Sequence, residues 1–383
     1  MSGMGTGDRL SRRELNRALL GRQLLLERER RSVAGTVEHL VAMQAQNPRD
    51  PYVAVWTRLQ DFDPHELGRM VAEREAVRIP LLRTTLHLVT ARDCLAMAPL
   101  LRPVLERGFW TGSPFGRQVK GVDIDAVLAA GRELLDERPR TTAQLRVLLG
   151  ERWPGYDASS LAYAVRHLVP VVQVPPRGVW GGKGLPTWAT TERWLGRPLD
   201  PAPSIDRLVL RYLAAFGPAT VMDVQAWSGL TRLREVAERL RPRLRTFLDP
   251  DGRELLDLPD APRPDPDTPA PPRFLPEYDN VVLGHADRTR IVPGDAIWKW
   301  EFPDPAFRSP LLIDGFVQAA WHFKQDRDSA TLVVEPLVPL PDPPAVEEEA
   351  THLLEFLAPE ADLREVRLAV TPPSARPPTT RGR

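Results

Sequence analysis

Two side-chain amides stand two positions apart in the segment MQAQNPRDPYVAVWTRL, at Gln44 and Gln46. On a continuous α-helix these two side chains would point about 200° apart. Pro48 disfavours a helical backbone at Asn47, so the pattern predicts that the preceding helix ends at this motif. In an extended backbone, residues two apart share a face, and the two amides would converge on one point. A polar helix end at the protein surface fits the same spacing.

A second polar group interrupts the apolar, strand-like run RIPLLRTTLHLV at residues 78–89. It consists of Arg83, Thr84 and His87, which are candidate site residues. A histidine within an apolar strand is also typical of a hydrogen-bonded core residue, so both interpretations of His87 remain open.

A third group lies in LGHADRTRIV at residues 283–292 and contains His285, Asp287, Arg288 and Arg290. The surrounding pattern predicts strands, so these residues are expected on a β-hairpin. Their charges could contact phosphates or face solvent, and the spacing fits both.

Composition narrows the classes of protein to consider. The chain has 383 residues, of which 42% are hydrophobic and 27% charged, which is typical of a globular protein. No window approaches about eighteen uninterrupted apolar residues, so we expect no membrane span. The first residues lack the apolar core of a secretory signal, which predicts a cytoplasmic protein. Cys94 is the single cysteine, and the histidines are scattered, so neither a disulfide nor a metal site nor a cofactor is expected.

The net charge of zero conceals an uneven distribution along the chain. Residues 1–120 carry 19 Lys and Arg against 13 Asp and Glu, whereas residues 261–383 carry 13 against 20. The overall balance therefore does not exclude a polyanionic partner for the N-terminal part.

The elements that would position these residues follow a repeated order: two or three short helices and then a β-hairpin. Residues 204–258 show it best, with Ser204 as helix cap, stops at Gly217 and Gly229, and a hairpin across Asp-Pro-Asp-Gly. This order is that of a winged helix-turn-helix. In the first segment we predict a helix from the capping box SRRE to about Arg31 and a further helical run over GTVEHLVAMQAQ. In the second, VVQVPPRGVWGG predicts a complete hairpin.

The predicted fold class is therefore α+β, with three tandem winged-helix units followed by a small C-terminal β-barrel. The predicted boundaries are 9–120, 121–200 and 201–258 for the three units, 259–272 for a proline-rich linker, 273–370 for the barrel and 371–383 for a disordered tail.

Four phrases in order, LVAMQAQNPRDPYVAVWTRL, LLRTTLHLV, FGPATVMDVQAWSGL and RFLPEYDNVVLGHADRTRIV, resemble the AlkZ/YcaQ family of bacterial winged-helix DNA glycosylases. The resemblance spans roughly residues 9–325. It implies that Gln44 and Gln46 are catalytic, because Gln44-Ala45-Gln46 is similar to the Gln-x-Gln signature of the AlkZ-like branch. That branch removes bulky N7-alkylguanine lesions from double-stranded DNA and unhooks interstrand crosslinks.

With DNA as the expected partner, the other candidates become DNA-binding residues: Arg83, Thr84, His87, His285, Asp287, Arg288 and Arg290. The resemblance also suggests that a hairpin enters the DNA, and we place it at residues 283–292. A monomer is expected, since three tandem units in one chain can form a clamp.

Three functional alternatives remain open at this point. The chain could be a glycosylase, a non-catalytic winged-helix regulator, or a paralogue that binds lesions without excising them. For a glycosylase, the sequence leaves open whether it unhooks crosslinks or excises monoadducts only, and whether it serves general repair or self-resistance to a genotoxin.

Overall fold

The computed structural model describes residues 8–294 and 309–369. They form a mixed α+β fold, as the sequence predicts. The expected disordered tail at 371–383 lies outside the described residues. Within the two described stretches, every helix is too short or too polar to cross a membrane.

The first segment, residues 9–120, combines helices with a three-stranded part of a sheet. Its elements are α1 (Arg12–Arg22), α2 (Val33–His39), β1 (Met43–Gln44), α3 (Asp50–Trp56), α4 (Pro64–Ala72), β2 (Ala76–Pro80), β3 (Leu86–Thr90), α5 (Ala91–Gly112) and α6 (Phe115–Gln118). β3 pairs antiparallel with both β1 and β2.

Two helix ends in this segment differ from the prediction. The capping box at Ser11 is present, but α1 ends at Arg22 because the backbone turns left-handed at Leu24, where φ is 57°. The helical run predicted over residues 35–46 likewise stops at His39, before Val41 with φ of 68°. Met43–Gln44 then form a strand, which ends at the first glutamine, and the chain bends at Gln46.

The residue patterns did not predict the 22-residue helix α5, which contains Pro99 and Pro103. An interior proline removes a backbone hydrogen bond and argues against a helix. Here the apolar face of α5 packs against the helices of the second segment, which stabilises it in spite of the prolines.

The second segment contains four helices and three strands. They are α7 (Ile124–Glu137), β4 (Arg140–Thr141), α8 (Thr142–Arg152), α9 (Ala158–Leu168), β5 (Val171–Gln173), β6 (Thr187–Thr190) and α10 (Thr191–Leu195). The hairpin predicted within VVQVPPRGVWGG is wrong in its second strand, which lies at Thr187–Thr190. Pro175 and Pro176 have no N–H to donate to a ladder, so the chain leaves the sheet in a long loop.

The three helices and the hairpin predicted for the third segment are present. It contains α11 (Ile205–Phe216), α12 (Val221–Ser228), α13 (Arg234–Leu240), β7 (Arg245–Leu248) and β8 (Glu254–Asp257). The Ser204 side chain caps α11, Gly217 and Gly229 end their helices, and Gly252 takes the left-handed position of the hairpin turn.

One order of elements recurs in all three segments: helix, strand, helix, helix, strand, strand. In the first two, the short leading strand pairs with the last strand, β1 with β3 and β4 with β6. In the third, Ala219 occupies the place of the leading strand and forms a bridge to Leu256 of β8.

The segments are not independent modules, because their elements share sheets and buried ion pairs. β2 and β5 pair at Arg78 and Gln173, which joins two segments into one six-stranded sheet in the order β1-β3-β2-β5-β6-β4. α1 in turn packs on the third segment, where Arg22 forms a fully buried ion pair with Asp257 at 2.6 Å.

The C-terminal part is a sheet covered by one long helix. It contains β9 (Arg273–Phe274), α14 (Asn280–Leu283), β10 (Ser309–Ile313), β11 (Phe316–Gln325), β12 (Ser329–Pro336), α15 (Pro343–Leu357) and β13 (Leu363–Leu368). The order β13-β12-β11-β10-β9 is linear, so the described strands form an open sheet that corresponds only in part to the predicted barrel. α15 packs on this sheet, in contact with β9, β12 and β13.

The proline-rich linker is irregular, as predicted, and it is hydrogen-bonded to side chains of α1. Arg13 donates to the carbonyl of Pro266 at 2.8 Å, and Arg17 donates to that of Thr268 at 2.8 Å. The linker therefore holds the C-terminal sheet against the first and third segments.

Candidate active site

Gln44 lies at the end of β1 with only 7% of its surface exposed. Its Oε1 accepts a hydrogen bond from Nη2 of Arg83 at 3.2 Å. Because the guanidinium can only donate, this bond fixes which end of the Gln44 amide is the oxygen. One lone pair of Oε1 remains for a second donor.

Gln46 lies two residues further along, where the chain leaves the sheet, and it is exposed. Ala45 between the two glutamines is fully buried: its N–H donates to Leu86 O at 2.7 Å, and its carbonyl accepts from Arg78 Nη2 at 2.5 Å. Gln44 is therefore held inside the fold beside Arg83, whereas Gln46 lies at the surface in the bend that follows the strand.

Arg83 connects this motif to the third segment. Its Nη1 donates to the carbonyl of Trp227 at 2.7 Å while its Nη2 holds Gln44. Arg83 and Thr84 both have left-handed backbones, with φ of 52° and 64°, in the turn between β2 and β3. Such conformations are costly for residues with a Cβ and are typical of functional sites. Burial lowers the pKa of Arg83 to about 10, so the side chain stays charged at neutral pH.

Thr84 is half-buried and His87 is fully buried. The Thr84 methyl group packs against Gly108 of α5, where a Cβ would meet it at 2.4 Å. His87 pairs with Gln44 across β1 and β3, is fully buried, and donates from Nδ1 to Thr85 O at 2.9 Å. Burial, with the charge of Arg83, lowers the pKa of His87 to about 3, so it is a neutral core residue.

The hairpin expected at residues 283–292 is wrong. This stretch contains the end of α14 and a turn, because Asp279 caps α14 and Asp287 Oδ1 accepts the N–H of Thr289 at 3.0 Å. His285 and Arg290 are buried and bond to backbone carbonyls of the third segment, those of Phe216 and Pro218.

Asp287 and Arg288 lie at the surface side of this turn. Asp287 forms an ion pair with Arg253 at 2.6 Å. Arg288 lines an open groove of about 1000 Å³ between the turn, α12 and the β7–β8 hairpin. His285 and Arg290 thus attach the turn to the third segment, and Asp287, Arg288 and Arg290 line the groove.

The structure also brings to the motif a distant stretch of the chain that the residue patterns did not single out. The segment 277–280 lies against the glutamine motif, where Asn280 donates to the carbonyl of Ala42 and Tyr278 lines the same small cavity as Gln44. Asp279 forms a buried ion pair with Arg58 at 2.8 Å. The only sequence signal was that these residues lie within the phrase RFLPEYDN, more than 230 positions after the motif.

A second unexpected residue is Asp50, the first residue of α3. It is 6% exposed, and its Oδ2 has no hydrogen-bond partner within residues 8–294 and 309–369. Across the same described stretches, no group of three or more His, Cys, Asp or Glu could hold a metal ion.

Comparison with known proteins shows the family. Residues 37–356 match the model of the family described as DNA glycosylase AlkZ-like. The chain belongs to this family. Among solved structures, it is similar to Streptomyces sahachiroi DNA glycosylase AlkZ, with a TM-score of 0.67 and 19% sequence identity over 94% of this chain and 100% of that chain. No curated protein matches the sequence.

Membership of the AlkZ-like family makes this chain a DNA glycosylase and sets aside the regulator alternative. The structural likeness, at its low identity, confirms the mixed α+β fold.

Proposed function

We propose that this AlkZ-like chain hydrolyses the N-glycosidic bond of N7-alkylguanine in double-stranded DNA, with Gln44 and Gln46 as the groups that position the attacking water. The observation that carries the proposal is the placement of the two amides. They flank a buried alanine whose N–H and carbonyl are both hydrogen-bonded, and Arg83 orients one of them.

Neutral amides suit this substrate class. Alkylation at N7 makes guanine cationic, so the base is already a good leaving group and needs no proton from an acid. The enzyme must then hold a water at C1′ and stabilise an oxocarbenium-like sugar, which position and oriented dipoles can supply. The free lone pair of Gln44 Oε1 and the exposed amide of Gln46 supply those dipoles.

Bulky and crosslinked bases are difficult to flip into a closed pocket because the adduct ties them to the duplex. We propose that the three repeats act as tandem winged helices that hold the duplex while the glutamines reach the sugar from a groove. Arg288 and the groove that it lines would contact the DNA backbone. His87, His285 and Arg290 are buried, and their hydrogen bonds to backbone carbonyls would hold the surrounding chain in place.

This arrangement supports the Gln-x-Gln branch and the unhooking of interstrand crosslinks as the finer proposals. It also fits a monomeric enzyme that acts on chromosomal DNA in the cytoplasm, in general repair or in resistance to a genotoxin.

The test is single-turnover release of base from a duplex with one N7-alkylguanine, detected by alkaline cleavage of the abasic product. Gln44→Ala and Gln46→Ala should lose release by about 10²-fold or more while they keep duplex binding. Gln325→Ala, an exposed glutamine at the end of β11, is the matched control and should behave as wild type. Tight binding without release by wild type would instead identify a paralogue that binds lesions only.

A further inference from the structure

Hydrolysis of a glycosidic bond leaves one proton unaccounted for. The attacking water must lose a proton as its oxygen bonds to C1′. An amide oxygen can accept a hydrogen bond from that water, but it is too weak a base to keep the proton. The two glutamines therefore orient the nucleophile without completing the reaction.

We propose that Asp50 is the proton acceptor of this reaction, which makes it a catalytic residue beside the two glutamines. This inference rests on the proposed function of the same site.

The local chain path brings Asp50 back towards the motif. After Gln46 the chain turns, with the Asp50 N–H bonded to Asn47 O at 3.2 Å and the Arg49 N–H bonded to the Asn47 side chain at 3.1 Å. Asp50 thus follows the second glutamine by four residues and opens α3.

The position of Asp50 on α3 decides which way it faces. Ala54, one helical turn later, lines the same small cavity as Gln44 and Tyr278. Residues four apart on a helix lie on one face, so Asp50 lies on the side of α3 that faces the motif and residues 277–279.

Half of the Asp50 carboxylate is satisfied by the fold. The carboxylate accepts a hydrogen bond from the Asn47 backbone, but Oδ2 is buried and unpartnered within the described part of the chain, although buried polar groups are almost always hydrogen-bonded. The neighbouring Asp279, by contrast, is held by both terminal nitrogens of Arg58. A buried carboxylate oxygen left without a donor calls for a functional explanation, and we assign Oδ2 as the atom that accepts the proton.

The charged groups around Asp50 give it the properties of a base near neutral pH. Burial, followed by the carboxylates of Glu277 and Asp279, raises the pKa of Asp50 to about 7, against the opposing effects of the hydrogen bond from the Asn47 backbone and of Arg78. Arg49, the residue before Asp50, also carries a charge that interacts with it. Tyr278 donates a hydrogen bond to Glu277. Burial, this hydrogen bond and the negative charges of Glu277 and Asp50 all raise the pKa of Tyr278, which places Asp50 close to the tyrosine.

The proposed step balances in atoms and charge. The water oxygen bonds to C1′, the C1′–N9 bond breaks, and its electron pair neutralises the cationic base. The proton of the water goes to the Asp50 carboxylate, which becomes a neutral carboxylic acid and later returns the proton to solvent.

The experiment measures single-turnover release of N7-methylguanine from duplex DNA by the full-length chain at several pH values between about 5.5 and 8.5, after subtraction of the rate without enzyme. Wild-type release should rise with pH and level off above about pH 7 as Asp50 ionises. Asp50→Asn should lose about 10²-fold at the plateau, with unchanged duplex affinity and no remaining pH dependence. Asp125→Asn, an exposed carboxylate on α7, is the control.

A second variant distinguishes a catalytic role of Asp50 from a purely structural one. Glu277→Gln removes a like charge beside Asp50 and should shift the inflection of the pH profile to lower pH while the plateau survives. Asparagine mimics the protonated carboxyl, so full activity of Asp50→Asn across the pH range would show that Asp50 is only a structural residue and overturn this inference. Absence of release by wild type would instead overturn the proposed function.

Discussion

The guanidinium of Arg83 donates to Oε1 of Gln44 across 3.2 Å and to the carbonyl of Trp227 across 2.7 Å. A single side chain thus connects the glutamine motif of the first segment with α12 of the third. The left-handed backbone at Arg83 is part of this connection, because it directs the side chain out of the β2–β3 turn towards both partners. The orientation of the Gln44 amide therefore depends on the packing of two segments.

Loss of the Arg83 guanidinium should reduce catalysis more than binding. In Arg83→Asn the backbone can keep its left-handed conformation, since asparagine tolerates it, but Gln44 loses its partner. We expect the single-turnover rate to fall about tenfold or more, with duplex affinity within a few-fold of wild type. The control is Arg232→Asn, because Arg232 is exposed and also left-handed, with φ of 61°. Equal losses in both variants would contradict a role in orienting Gln44.

Arg288 should contribute one phosphate contact. Arg288→Ala is expected to weaken duplex binding and to reduce the slope of log affinity against log salt by about one. The measurement is a binding titration at several salt concentrations, with Arg367→Ala on β13 as control. An unchanged slope would remove the groove at α12 from the DNA interface.

The enzyme should discriminate by the charge of the damaged base. Release of a cationic N7-alkylguanine should be fast, whereas uracil and 1,N6-ethenoadenine should be released poorly, because their departure needs a proton that two amides cannot supply. The comparison uses duplexes of identical sequence with one lesion each. Efficient excision of uracil would show that the site contains an acid for the leaving group.

Asp50 should lower the stability of the fold above neutral pH. Its pKa is raised from 3.8 to about 7 in the folded chain, so the folded state binds the proton more tightly than the unfolded state does. Stability linked to this group is full below pH 4 and is lost as the pH rises through about 7. Asp50→Asn should therefore gain about 2 to 4 kcal/mol at about pH 8 and little at about pH 4, measured by denaturant unfolding.

The matched comparison for that gain is Asp279→Asn. Its carboxylate is held by Arg58 in a buried ion pair, so this variant should lose about 3 to 5 kcal/mol under the same conditions. A loss of stability in Asp50→Asn as large as that of Asp279→Asn would show that Asp50 is paired in solution.

The sequence by itself determined the local features of this protein. The capping residues Ser11 and Ser204, the stops at Gly217 and Gly229 and the β7–β8 turn are each specified by a few neighbouring residues, and all are present. The extended backbone at Gln44, by contrast, depends on pairing with β3, where Gln44 faces His87. Four motifs in order were sufficient to indicate the family.

Where local patterns were ambiguous, the sequence misled. Apolar runs such as VVLG and RIVP suit a strand or a short buried helix equally, and the capping bond of Asp279 decided for α14. No element was predicted for residues 91–112, where prolines unfavourable to a helix lie within α5 and packing against the second segment stabilises it.

Only the tertiary structure decided which residues meet. Arg83 and Glu277 come from distant parts of the chain, and no spacing along the sequence records their approach to the glutamine motif. Burial also exists only in the folded chain, because it depends on what other segments cover. The fold that removes His87, His285 and Arg290 from solvent also buries Asp50, whose Oδ2 has no hydrogen-bond partner among the described residues.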